Sequence, residues 1–286
     1  LYGYNGSGRA PRDQNLEQLQ GRIDALKASG ELEADHQGIP SHGPLPVTVP
    51  GTVDGWFAIH QRFGKLPMSQ LLAPTIDYAR QGFPLSPVIA HYFGRSWAFF
   101  QRRFGDSPHL DNIRDTWFTG GQSPLAGQML RNPDLADTLE AIGLEGRDAF
   151  YKGELAHAMA AYFAPLDGGL AYRDFATHRG EWVEPASVKY RGYDLYELPP
   201  NGQGFAALQM LSILNNVELS QWPRGSAEVF HFMVEAKRLA FEDMARHYAD
   251  PAFAEMPLQG LLADEYGRER FALIDPRRAT PQVGPG

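Results

Sequence analysis

A glycine-rich segment close to the start of the chain carries the residues best suited to recognising a ligand. Residues 5–11 read NGSGRAP. Gly6 and Gly8 let the backbone turn tightly and approach a ligand closely, and the guanidinium of Arg9 can grip a carboxylate through two parallel hydrogen bonds. The pattern predicts an anion-binding corner in this segment, with Arg9 as the anion-binding side chain. The alternative is a turn at the end of a strand with a solvated arginine, which is common at protein surfaces.

A second glycine-rich segment reads NGQG at residues 201–204, between an apolar run and a helical pattern. Backbone N–H groups at such a turn can cradle an anion at the start of the helix. The favoured alternative is a tight strand-to-helix turn whose dihedral angles require glycine.

The usual motifs for metal, nucleotide and nucleophile sites are absent from the sequence. It contains no HExxH, calcium-binding loop, P-loop, GxGxxG or GxSxG pattern, and it has no cysteine. The spacing of His36, His42, His231 and His247 does not suit a shared metal, so we interpret them as surface or capped side chains. The chain thus offers a corner for an anion, but no metal, cofactor or nucleophile site.

Composition limits the class of protein. The 286 residues carry a net charge of −8 without a basic stripe, which argues against a nucleic-acid partner. No apolar run reaches the roughly 20 residues that a membrane span needs. The lack of cysteine fits either a reducing compartment or a bacterial periplasm, so the localisation stays open.

Both ends of the chain have the character of internal segments. The first residues read as part of a strand without an initiating methionine, and residues 280–286 have the composition of a loop. We expect further residues before and after this stretch, removed either by trimming or by proteolytic maturation.

Two helices are predicted from capping and periodicity. One covers residues 133–142 after an Asn132 cap. The longer one begins at Ser226 and ends before Asp250 and Pro251. Its apolar stripe is predicted to be core rather than a cofactor groove, and it consists of Val229, Phe232, Met233, Ala236, Leu239, Ala240 and Met244.

Strand signals are fewer. Residues 46–49 and 188–198 are predicted to be extended. Residues 30–46 and 101–127 are predicted loops, because the first is rich in Gly, Pro and His and the second has mixed charge and a Gly pair. The chain is therefore expected to be mainly helical with a few strands.

Motifs spread along nearly the whole chain resemble the large subunit of gamma-glutamyltranspeptidases. Each motif is weak alone, but all of them follow the order of that family. They are PGTVDGW at 50–56, FGKLP at 63–67, LAPTIDYARQGF at 72–83, FYKG at 150–153, GGL at 168–170, YRGY at 190–193, LPP through QML at 198–211, EAKR at 235–238 and YADP at 248–251.

The resemblance implies an N-terminal nucleophile hydrolase with an α+β fold, a four-layer αββα sandwich completed by a small subunit. Such a precursor cleaves itself, and the new N-terminal Thr of the small subunit is the nucleophile. Residues 1–286 would be a single domain, the large subunit without its N-terminal part, that ends just ahead of the Thr. No catalytic residue, metal or other cofactor is then expected here. The expected partners are the small subunit and a small acyl donor, and a dimer of such heterodimers is one possible assembly.

The donor site departs from the family pattern. Typical members read Arg-Glu-x-Ala-Pro, and that Arg binds the donor carboxylate. Here Ser7 and Gly8 occupy the Arg and Glu positions, and Arg9 directly precedes Ala10. The family stretch Pro-Ser-Ser-Gly-Gly is likewise replaced at residues 200–204. Ser7, Gly8 and Arg9 are thus the predicted substrate-binding residues, with Arg9 holding the carboxylate from a changed angle.

Three functions remain open at this point. The first is cleavage of γ-glutamyl amides of the glutathione type, by hydrolysis or by transfer to an amine. The second is a cephalosporin acylase-like amidase that acts on glutaryl-type amides, because the departures resemble that branch. The third, from another class, is a catalytically inactive relative that binds peptides. The residue that follows the self-cleavage point separates the third from the others.

Overall fold

The computed structural model describes residues 1–105, 108–166 and 169–286. Most of these residues are helical, as the sequence predicts. The α-helices are α1 (Leu16–Ser29), α2 (Thr52–Phe63), α3 (Met68–Gln81), α4 (Pro87–Phe104), α5 (Pro108–Trp117), α6 (Pro133–Glu145), α7 (Arg147–Tyr151), α8 (Glu154–Phe163), α9 (Tyr172–Ala176), α10 (Gly204–Leu214), α11 (Ala227–His247), α12 (Leu258–Leu261) and α13 (Asp264–Phe271).

The strands form antiparallel pairs. β1 pairs with β4, β2 with β3, and β5 with β6. Their bounds are β1 (Gly3–Asn5), β2 (Phe83–Pro84), β3 (Met129–Leu130), β4 (Glu181–Val183), β5 (Ala186–Tyr190) and β6 (Tyr193–Glu197).

The predicted strand at 188–198 is a hairpin rather than one strand. β5 and β6 meet at Arg191 and Gly192, whose φ angles are 53° and 88°. Two consecutive positive φ angles are typical of the two-residue hairpin turns that match the twist of the flanking strands. The predicted strand at 46–49 is wrong, because these residues form a turn and irregular backbone.

The described residues separate into two compact units. The first, called here the 6–180 unit, is Gly6–Gly180. The second, the 181–286 unit, is Glu181–Gly286 together with Leu1–Asn5, which join it through the pairing of β1 with β4. That residues 1–286 act as a single domain of a larger assembly stays a prediction.

The core of the 6–180 unit lies where α2, α6, α7 and α8 meet. Val53, Ile142, Tyr151 and Phe175 are among its buried side chains. Helix α6 begins as predicted, because the Asn132 side chain accepts a hydrogen bond of 2.9 Å from the backbone N–H of Leu135. It runs past the predicted end at residue 142 to Glu145.

The core of the 181–286 unit forms around α10 and α11, and the predicted extent of the long helix is confirmed. Phe232, Ala236 and Leu239 are buried as predicted. Met233 was placed in the core by its position in the stripe, and this is wrong, because the side chain is 42% exposed. The buried face of the helix includes the acidic residues Glu235 and Asp243, which the apolar pattern did not indicate.

The two predicted loops differ in outcome. Residues 30–46 are turns, bends and irregular backbone, as predicted. The stretch 101–127 is mostly helical in its described part, with the end of α4, all of α5 and a short 3-10 turn at Thr119–Gly121. Residues 106–107 of this stretch and Gly168 of the GGL motif lie outside the described residues.

A matched pair of phenylalanines tests the corrected helix face. Phe232 is 4% exposed and its ring lies 5.4 Å from that of Trp222, whereas Phe230 is 58% exposed. We expect Phe232→Ala to lower the free energy of unfolding by about 3–5 kcal/mol through lost burial and a new cavity. Phe230→Ala should change it by less than about 0.5 kcal/mol. Urea unfolding of the two variants checks this, and equal losses would show that the face is misassigned.

Candidate functional site

The segment that carries the predicted anion corner lies against the residues that lead into α2. The backbone N–H of Val49 donates to the carbonyl of Arg9 at 3.0 Å. A Cβ atom on Gly8 would lie 1.6 Å from the Val49 carbonyl oxygen, and one on Gly51 would lie 1.6 Å from the Gly6 carbonyl oxygen. These glycines are therefore required by close approach of two backbones.

Ser7, Gly8 and Arg9 are adjacent on this fixed loop. The Ser7 and Arg9 side chains are exposed, while Gly8 is half-buried against Val49. The geometry thus presents the guanidinium from a rigid backbone, which suits recognition of a carboxylate. That these three residues bind substrate stays a prediction.

A buried carboxylate anchors the start of α2 next to this loop. Asp54 is 5% exposed and lies in the first turn of α2, where an acidic side chain also suits the helix dipole. Its Oδ1 accepts from Nε of Arg147, and its Oδ2 accepts from the backbone N–H of Gly180 at 2.7 Å. Arg147 also donates to the carbonyl of His178. The carboxylate therefore joins α2, α7 and residues 178–180.

Tyr151 connects this anchor to the backbone under the loop. Its hydroxyl donates to the Pro50 carbonyl at 2.6 Å and accepts from the Asp54 backbone N–H at 3.1 Å. Burial raises the pKa of Tyr151 to about 12, so the hydroxyl keeps its proton at neutral pH. The Arg147 guanidinium lies over the Tyr151 ring, 4.3 Å from its centroid.

His178 completes the cluster. Its ring is stacked on that of Tyr151 at 5.1 Å and is 6% exposed. Burial lowers the pKa of His178; the Asp54 charge opposes this, and the charges of Arg147 and Arg9 add to it. The His178 side chain is therefore neutral at neutral pH.

Sequence reasoning did not assign a role to Asp54, Arg147, Tyr151 or His178. Asp54 and Tyr151 stand in two of the motifs that carry the family resemblance, at 50–56 and 150–153. The only signal in the sequence was an acidic residue, Asp54, next to a glycine. The partners of Asp54 lie 93 and 126 residues further along the chain. Only the fold brings them together.

The second glycine-rich segment forms the predicted turn between β6 and α10, but for another reason. Gly202 and Gly204 do not have positive φ angles. A Cβ atom on Gly204 would lie 2.3 Å from a carboxylate oxygen of Glu197, so close approach explains that glycine. The Asn201 side-chain oxygen accepts from Asn5 at 3.0 Å. Anion binding at this turn is not tested by these contacts.

Among the described residues, no three His, Cys, Asp or Glu side chains are grouped to hold a metal ion. No helix within the described ranges is long and apolar enough to cross a bilayer.

The buried histidine predicts a pH dependence of stability. The folded-state pKa of His178 is below the ordinary value of 6.5, so between the two values the unfolded chain binds more protons. Stability is then lost as the pH falls below about 6.5. We expect His178→Gln to flatten this slope between about pH 7.5 and pH 5, measured by urea unfolding. The exposed His91 is the control, and His91→Gln should keep the wild-type slope; equal slopes for wild type and His178→Gln would contradict the assignment.

Comparison with known proteins gives a consistent family. The sequence model of the gamma-glutamyltranspeptidase family matches residues 1–285. The glutathione hydrolase-like YwrD proenzyme of Bacillus subtilis is 35% identical over 268 residues, which cover 93% of this chain and 47% of that protein. The chain spans somewhat less than half the length of the first curated relatives it matches.

Solved structures agree with the sequence matches. The crystal structure of cephalosporin acylase from Bacillus halodurans is similar with a TM-score of 0.86 and 36% identity, over all of this chain and 50% of the acylase. Helicobacter pylori gamma-glutamyltranspeptidase has a TM-score of 0.83 and 26% identity, over all of this chain and 78% of that one. The predicted fold class, the α+β fold of N-terminal nucleophile hydrolases, is confirmed. The chain belongs to the gamma-glutamyltranspeptidase family.

Proposed function

We propose that this chain is the large subunit of an amidohydrolase or acyltransferase that cleaves γ-glutamyl amides of the glutathione type. The observation that carries the proposal is the match to the family over residues 1–285, with proenzymes of about twice the length among the relatives. A small subunit from the same precursor would complete the four-layer sandwich and supply an N-terminal Thr.

The proposed reaction runs through an ester on that Thr. The Thr hydroxyl oxygen attacks the amide carbonyl carbon, and its proton passes to the Thr α-amine. The proton then moves to the departing amine as the carbon–nitrogen bond breaks. Water, or an acceptor amine, attacks the ester, releases the acyl group and restores the Thr hydroxyl. No cofactor is needed for these steps.

The role of this chain is to hold the acyl donor. Arg9 extends from a loop whose backbone is fixed against Val49 and Gly51. A guanidinium in that position can take the donor carboxylate through two parallel hydrogen bonds. Ser7 stands where typical members have the carboxylate-binding Arg, so Arg9 would replace that group from two positions further along the loop.

A glutaryl acylase is the second candidate. The similarity to the Bacillus halodurans cephalosporin acylase favours it, as does Ser7 at the arginine position. A glutaryl group has the carboxylate of a γ-glutamyl group but lacks its α-amine. Comparing the two acyl groups therefore separates the candidates.

Replacement of Arg9 tests the proposed site. In the full-length precursor, Arg9→Ala should lower kcat/KM for γ-glutamyl and glutaryl anilides by about ten- to a hundredfold, because it removes a charge-assisted contact. Arg9→Lys should restore only part, since an ammonium cannot reproduce the planar fork. Self-cleavage, followed by gel electrophoresis, should be unchanged.

The exposed Arg12 provides the matched control, and Arg12→Ala should leave both rates at the wild-type level. A strong wild-type preference for the γ-glutamyl anilide supports the first candidate, and equal rates support the acylase. Full activity of Arg9→Ala on both anilides would show that Arg9 does not bind the acyl donor. Absence of both activities in a correctly cleaved wild-type protein would contradict the proposed function.

A further inference from the structure

The 280–286 segment is irregular backbone that lies against α11 and α13 in the 181–286 unit. Irregular backbone must find hydrogen-bond partners outside a helix or a sheet. Here several of its N–H and C=O groups are bound by charged side chains that the two helices bury. The contacts form two groups, one at each end of the segment.

The first group of contacts holds Thr280. Glu235 on α11 is 2% exposed, and its Oε2 accepts from the Thr280 backbone N–H at 3.1 Å. Arg238 donates to the Thr280 carbonyl at 2.6 Å and to Oε1 of Glu235 at 2.8 Å. The ion pair therefore binds both backbone groups of one residue.

The second group of contacts holds Gly284 and Gly286. Asp243 on α11 is fully buried, and its Oδ1 accepts from the Gly286 backbone N–H at 2.9 Å. Arg270 on α13 is 4% exposed; its Nη2 lies 3.2 Å from the same Asp243 oxygen and donates to the Gly284 carbonyl at 2.7 Å. Gln209 on α10 donates to the other Asp243 oxygen at 3.1 Å. A second buried ion pair thus binds this segment as well.

Packing of the helices does not by itself explain these charges. An apolar pair of similar size often holds two helices as well as a buried ion pair does, because it avoids the cost of removing charges from water. What the charged pairs add is directional hydrogen bonding to the backbone of the 280–286 segment. We therefore attribute to them the fixed position of this segment, which Val283 supports by packing on the apolar cluster of the unit.

We propose that Asp243 and Arg270, together with Glu235 and Arg238, are positioning residues for self-cleavage of the precursor. By fixing the 280–286 segment, they set the place and direction from which the chain continues toward the bond that is cut. The inference rests on the proposed function, in which the small subunit follows this chain in one precursor. The four side chains act through the segment and not on the reacting atoms.

The cleavage itself is an intramolecular acyl shift followed by hydrolysis. The Thr hydroxyl oxygen attacks the carbonyl carbon of the peptide bond before it, and its proton passes to the Thr nitrogen as the carbon–nitrogen bond breaks. Water then hydrolyses the ester, which leaves a carboxylate on the large subunit and the free Thr on the small one. The rate of such a reaction depends on how well the two reacting groups are held in place.

A matched pair of glycines tests the proposal without removing a buried charge. A Cβ atom on Gly286 would lie 2.3 Å from the Tyr266 hydroxyl oxygen, whereas one on the exposed Gly260 meets open space. The full-length precursor is made in a short pulse of cell-free synthesis, and its cleavage is followed over time by gel electrophoresis. We expect Gly286→Ala to slow cleavage by about ten- to a hundredfold and Gly260→Ala to cleave at the wild-type rate.

Replacement of the buried carboxylate separates positioning from folding. Asp243→Asn should slow self-cleavage by about ten- to a hundredfold, whereas Glu269→Gln, the same exchange at an exposed position of α13, should not. After long incubation, kcat/KM for the preferred anilide per cleaved molecule should equal that of the wild type. A merely structural role would instead lower activity per cleaved molecule together with cleavage.

The outcomes distinguish this inference from the proposed function. Wild-type precursor that does not cleave itself would contradict both. If the wild type cleaves, then normal cleavage of Gly286→Ala or of Asp243→Asn overturns the positioning role alone, as does a parallel loss of cleavage and of activity per cleaved molecule in Asp243→Asn. If Asp243→Asn does not fold, the rate of Gly286→Ala decides.

Discussion

The contact on which the 6–180 unit most depends is the ion pair between Asp54 and Arg147. A buried carboxylate costs several kcal/mol unless it is paired and hydrogen-bonded. Here Arg147 and the backbone N–H of Gly180 satisfy its two oxygens. The partners come from α2, α7 and the end of the unit, so the pair can form only when these segments are assembled. It therefore specifies their arrangement.

Tyr151 connects this ion pair to the backbone that supports the predicted donor site. The Tyr151 hydroxyl holds the Pro50 carbonyl and the Asp54 backbone N–H. The backbone of residues 49–51 lies against that of residues 6–9. This close approach requires glycine at Gly8 in one segment and at Gly51 in the other. The loop that bears the exposed Arg9 is thus connected to Asp54 through a series of contacts. A rigid loop of this kind gives an arginine a defined direction without burying its charge.

Local sequence signals correctly predicted the features that depend only on residues close together in the chain, such as helix caps and helix ends. The Asn132 cap and the extent of α11 were found because the capping and stop signals lie beside the helix. The predicted core face of α11 is wrong at Met233, and the helix buries Asp243 instead. The partners of Asp243 are Gln209 and Arg270, at 3.1 and 3.2 Å, and they are distant in sequence, so the helical pattern does not reveal them. The need for glycine in the Arg9 loop was visible, but its cause, contact with residues 49–51, was not. The family was predictable because its motifs extend over the whole chain.

A double-mutant cycle between Tyr151 and Arg9 tests most directly whether the buried contacts position the arginine. Tyr151→Phe removes only the hydroxyl that holds Pro50, and kcat/KM for the preferred anilide is measured in the full-length protein for wild type, Tyr151→Phe, Arg9→Ala and the double variant. The account predicts strong coupling: each single change lowers kcat/KM, and the double variant is no slower than Arg9→Ala alone. Losses that multiply in the double variant would show that Tyr151 does not act through Arg9 and would contradict the account.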